Sequence, residues 1–149
     1  MADIANAAAS VRVVVGATVR RFTLTGPVTV GDVVYIDSTG GAQKATASGV
    51  VAQAEARGMV VSVQPVSGTL GQTTGVSGDK ADVVMMGPVE FSPTLPLTPG
   101  LPLYVSAVTP GRMDQTKPAT VGWFPSIVGF AESASRVFVN PQVVVVASN

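Results

Sequence analysis

The chain has 149 residues, nine basic and nine acidic, with neither cysteine nor histidine. That length suits one domain with a real core, and the missing side chains exclude a disulfide framework, a thiolate or imidazole metal site and a histidine general base. A net charge of zero with only 12% charged residues excludes the basic stripe of a nucleic-acid binder. Mean hydropathy is +0.44, yet the longest apolar runs are four or five residues. A membrane-spanning helix needs about 20. Low charge with high apolarity points instead to a surface that is covered by assembly. There are 29 valines against 6 leucines, with 16 glycines and 11 prolines as punctuation. β-branched residues fit strands and glycine and proline end them, so the composition predicts many short strands joined by turns.

Residues 1–16 open with an Ala-rich, polar stretch and are predicted to form an arm, with a single β domain over 17–149. The opening "MADIANAAASVR" has neither the basic start nor the apolar stretch expected of a secretory signal. Strands are predicted near 11–15 and 18–25, then from Asp32 to Asp37, with "STGG" as a turn. Ala52–Arg57 reads as one or two helical turns, with Ser48 as N-cap and Gly58 as the stop. A strand follows at Met59–Val63. The Gly, Ser and Thr-rich stretch 67–80 reads as an exposed loop and a junction between two subhalves. "DVVMMGPVEF" is predicted as a strand broken at Gly87-Pro88, and the Pro-rich "SPTLPLTPGLP" as extended chain outside any central strand. Further strands are predicted at Tyr104–Ala107, near 127–132, in "SRVFVNP" and in "QVVVVAS".

Two stretches echo each other. "VGDVVYIDSTGGAQK" (30–44) and "PGLPLYVSAVTPGRM" (99–113) align Gly31 with Gly100 and Tyr35 with Tyr104 at an offset of 69. Gly41 with Gly111 and Thr46 with Thr116 fall at 70, and Gly58 with Gly129 at 71. This self-similarity predicts an internal duplication of 31–62 and 100–133, each copy a strand, turn, connection and strand.

Groups that could carry catalysis are scarce. Asp79, Lys80 and Asp82 lack the spaced oxygen pattern that calcium requires and read as solvated loop charges. Asp32 and Asp37 flank one strand five residues apart, which sets them on opposite faces. Lys44, Lys80 and Lys117 sit in no Ser-x-x-Lys context, and "GTLGQTTG" lacks the Lys-Ser/Thr of a phosphate loop. The chain is therefore expected to be no enzyme and to use no metal or cofactor. Trp123 and Phe124, between Gly122 and Pro125, are either core or subunit contact, or an exposed anchor.

The second half, from "TPGLPLYVSAVTPGRM" through "VGWFPSIVGFAES" to "RVFVNP", resembles a segment of small structural proteins of tailed bacteriophages. The "GDVVY" strand and "GMVVS" of the first half resemble the same proteins, which include capsid decoration (cement) proteins and some fibre domains. The resemblance implies an all-β fold, a small β-barrel or β-sandwich, and a place on the virion. The expected function is a decoration protein, a homotrimer made in the host cytoplasm, that binds the major capsid protein on the outer surface of the assembled head and stabilises it. No nucleic-acid or membrane partner is expected. The alternative is a fibre or receptor-binding module that reads a cell-surface glycan. The expected capsid or subunit contacts are Ile4, Arg12 and Val14 in the arm, Arg20 and Arg21 in the next strand, and Trp123 with Phe124.

Overall fold

A computed structural model describes residues 3–69 and 71–142. The chain is nearly all β, 40% strand and 5% helical. In chain order, a 3-10 turn at Ala8–Ser10 leads to β1 (Arg12–Val13), β2 (Thr18–Thr23), β3 (Val28–Thr29), β4 (Val33–Ile36) and β5 (Ala42–Lys44). A single helical turn, α1 (Val51–Ala54), precedes β6 (Gly58–Gln64), β7 (Thr74–Gly75) and the long β8 (Lys80–Glu90). The remaining strands are β9 (Pro102–Val105), β10 (Met113–Asp114), β11 (Ile127–Ala131) and β12 (Arg136–Val139). "QVVVVAS" falls, past Gln142, outside the described residues.

Ten strands form one strongly curled, half-barrel sheet in the order β10-β9-β11-β12-β8-β6-β4-β5, with β1 and β2 also on β8; β3 and β7 form a small second sheet. Every pairing of the named strands is antiparallel. Val83, Val84 and Val89 of β8 are fully buried, together with Val33, Val34, Val60, Leu103, Val137 and Val139. Each such valine removed from water contributes about 1.5 kcal/mol, and the β-branched side chains are stiff enough to do so at little entropic cost.

The predicted break at Gly87-Pro88 is corrected: β8 runs straight through it. Gly87 takes φ +119°, where a Cβ would press on the Ala17 backbone. The Pro88 carbonyl accepts from Val14 N–H at 3.3 Å. In an antiparallel strand the N–H and C=O of one residue point to the same edge, so the absent N–H of Pro88 faces the bend at 14–17. No ladder donor is needed there, and proline is tolerated.

Other expectations shift for local reasons. The helical turn stops at Ala54, and Val50, not Ser48, stands at its N-cap position without a side-chain bond. The loop at 67–80 contains β7, which pairs with β3. Pro102 opens β9, a first position that proline allows. The arm is no free segment: Ile4 N–H donates to Met113 O, Ala7 N–H to Ser92 O, and Val11 is buried.

The duplication appears in the strand register. β4 pairs with β5 on one side and β6 on the other; β9 pairs likewise with β10 and β11. Tyr35 faces Gln43 and Tyr104 faces Asp114, while Val34 faces Gly58 and Leu103 faces Gly129. Asp37 N–H donates to Gly41 O, and Ser106 N–H to Arg112 O. The offset is thus 69 up to the turn and 71 after it. The second turn is simply two residues longer, and the predicted intermediate matches at 70 are each off by one.

The copies also bond to each other beside the sheet's two edges. The residues that follow edge strand β5 bond to the segment before edge strand β10: Gly111 N–H donates to Ala45 O at 2.8 Å and Ala47 N–H to Ser106 O at 3.1 Å. Val33 N–H donates to Gly111 O at 2.8 Å.

Gly58 and Gly129 occupy equivalent positions, and a Cβ on either would strike a backbone carbonyl of the next strand, Val84 or Phe138. Gly58→Ala and Gly129→Ala are each expected to cost about 1–3 kcal/mol in denaturant unfolding, as overpacking against a rigid neighbour does. A stability unchanged in both would contradict the register.

Candidate interaction surfaces

Alternation along a strand sends every second side chain outward. In β12 it turns Arg136 and Phe138 out and Val137 and Val139 in; in β11 it turns Phe130 out between buried Gly129 and Ala131. Cross-strand register then lines up one row: Pro102 faces Phe130, Phe130 faces Phe138, and Phe138 faces Pro88. The rings of Phe130 and Phe138 stack at 5.4 Å with 22° between planes, a pairing that contributes about 0.5–1.5 kcal/mol. Phe130 nevertheless remains 40% exposed, and Met86 (51%) and Leu101 (45%), close in sequence to Pro88 and Pro102, are exposed as well. The next row on the same face is charged: Arg12 faces Glu90, and Arg136 Nε lies 3.5 Å from Glu90. The surface is therefore an apolar bar edged by an Arg–Glu–Arg row.

Of the contacts expected from the sequence, only Arg12 and Val14 border this face. The Arg12 guanidinium donates to Ala9 O at 2.7 Å and Val11 O at 2.9 Å, which anchors the arm. Ile4 packs partly buried on the core. Arg20 and Arg21 are exposed on β2, and Arg21 pairs with Asp82 at 2.9 Å. Trp123 packs partly buried against the core, and Phe124 N–H donates to Ala47 O, stitching the second copy to the first. Among the described residues no hydrogen bond or ion pair joins any of these seven to another. Sequence reasoning missed Phe130 and Phe138. The signal was present, since each stands one position out of step with its buried neighbours in "VGFA" and "RVFV".

The acids are structural, and the reading of 79–82 as solvated loop charges is corrected. Asp79 is buried and accepts from Val66 N–H and Val76 N–H, both at 2.9 Å, which hold its pKa below the usual carboxylate range. Asp82 lies in β8, where Arg21, Ser62 and Gln64 hold its carboxyl low. Asp37 is held lower still by the Thr25 hydroxyl (2.6 Å), then by Thr39 and Gln43. Asp32 is buried beside Lys44 (3.9 Å) and accepts from Thr29 N–H; burial outweighs these partners and pushes its pKa up. Among the described residues no three acids converge as a metal site would require.

A depressed folded pKa gives stability that is complete above the unfolded value of about 4 and is lost as pH falls below it. Asp37, Asp79 and Asp82 act in that direction; Asp32, with its raised pKa, acts in the opposite one. The melting temperature is expected to fall from pH 5 to pH 2. Asp37→Asn should melt lower than the parent at pH 7, with the gap narrowing as pH falls from 5 to 2. An equal gap at pH 7 and pH 2 in thermal melts would contradict this role for Asp37.

No protein-family model matches the chain, and no curated protein matches it.

Proposed function

We propose that the protein is a capsid decoration protein of a tailed bacteriophage, binding as a homotrimer to the outer surface of the assembled head. The observation that carries this reading is the half-open apolar row Pro102–Phe130–Phe138–Pro88 edged by Arg12, Glu90 and Arg136. A cross-strand face with an aromatic pair suits contact with another protein surface, where aromatic side chains carry much of the binding energy. The sequence resemblance to phage structural proteins supplies the partner. A protein that binds only the assembled shell stabilises it by mass action, in proportion to affinity and occupancy. The glycan-reading alternative loses support because Trp123 packs partly buried against the core.

Purified protein mixed with heads that lack it should bind saturably, with copies countable by electron microscopy. Phe130→Ser should keep the fold, because the ring is already 40% exposed, and should bind at least tenfold more weakly, as loss of a central aromatic anchor does. Light scattering of the free protein should give the mass of a trimer. Failure of the parent protein to bind heads, with binding to cells or glycans instead, would overturn the proposal.

A further inference from the structure

The duplication supplies an internal comparison. In the first copy, Gln43 stands opposite Tyr35 and its amide donates to Asp37 at 2.9 Å. The Thr25 and Thr39 hydroxyls complete that carboxylate. The polar cluster is closed on itself. In the second copy the position of Gln43 is taken by Asp114, opposite Tyr104, and that of Asp37 by Ser106. Ser106 Oγ accepts from Val108 N–H and Thr109 N–H, which leaves its proton to donate to Asp3 Oδ1. Asp114 Oδ1 accepts from Thr116 N–H at 2.7 Å, but among the described residues Oδ2 has no partner, although Asp114 is only 3% exposed.

Asp114 and Asp3 line a cleft of about 500 Å³ between the arm, residues 94–97 and β10. Its remaining walls include Ile4, Leu95, Pro96 and Leu97, and among the described residues no Lys or Arg lines it. A buried carboxylate oxygen without a donor is costly unless something supplies one. A bare metal ion fits poorly. The Gln115 amide is closed on Thr98 through both its ends, the Thr94 hydroxyl donates to Ala5 O, and few free oxygens remain for a coordination shell.

We propose that this cleft binds an organic cation, an ammonium or guanidinium on an aliphatic stem, with the charged head on Asp114 Oδ2 and the stem against Ile4, Leu95 and Leu97. The same chemistry is offered by a free alkylamine and by a lysine or arginine side chain of another polypeptide. The site is separate from the outer apolar row, so it stands or falls without the decoration role.

The test is an NMR titration of the full chain, following the Ile4, Leu95 and Leu97 methyls and the Asp114 carboxyl carbon. The probes are n-butylammonium chloride and acetyl-Gly-Lys-Gly-amide, with n-butanol and calcium chloride as controls. Both cations should give saturable shifts at these four residues, and n-butanol should not. Asp114→Asn, checked by circular dichroism and melting, should weaken binding at least tenfold; Asp3→Asn should weaken it several-fold and decides the matter if the first variant does not fold. Tighter binding of the peptide identifies a polypeptide side chain as the natural source, and tighter binding of the amine a free one. Absence of saturable shifts, equal shifts with n-butanol, or calcium alone occupying the carboxyl and excluding the amine would overturn the proposal.

Discussion

The architecture depends on the uninterrupted pairing of β8. This strand is held by β2 over Lys80–Met86 and by β6 over Lys80–Val84, then by β12 over Gly87–Glu90 and by β1 over Val89–Glu90. Every other strand of the large sheet reaches it through one of these neighbours. The constraint is a backbone one. Because the ladder must continue through Gly87-Pro88, the chain meets proline's missing donor with the bend at 14–17 and takes the kink at a glycine. The full burial of Val83, Val84 and Val89 places the same strand at the centre of the core.

On either flank of β8 stands one copy of a three-strand unit. Duplication of a unit that cannot bury its own inner face gives a sheet with two exposed edges, and exposed edges invite unwanted pairing. Here the segments beside the two edge strands, 45–47 and 106–111, bond to each other and curl the sheet. The arm at residues 3–11 lies along the second copy and bonds to Met113 and Ser92. What the frame leaves to solvent is an outer face, and there the two copies differ. The second carries Phe130, where the offset places Met59, a fully buried residue, in the first. Equivalent positions have thus diverged in burial, and with burial in what they can contact.

Much of this was legible in the sequence. The excess of valine over leucine, with glycine and proline as punctuation, pointed to short strands and the all-β class, and the paired Gly and Tyr of 31–35 and 100–104 pointed to the duplication. The break at Gly87-Pro88 misled because proline's veto applies to one edge of a strand at a time, and sequence does not say which edge faces a bend. The acids misled for a related reason: Asp79 and Asp82 look like loop charges until a local turn supplies Val76 N–H and tertiary contact supplies Val66 N–H and Arg21. Trp123 drew attention by its size, yet the register brings Phe130 beside Phe138, a neighbour relation that only pairing of β11 with β12 creates. Period-2 alternation marked Phe138 as outward, and that signal was available from "RVFV" alone.

Through its pairings β8 binds both copies into one cooperative unit. Residue-resolved native-state hydrogen exchange tests it most directly. Amides of Val83 and Val84, between β2 and β6, and of Val137 and Val139, in β12, should exchange only through global unfolding, with one free energy and one denaturant dependence. Two distinct opening free energies, one for each side of Gly87, would contradict it.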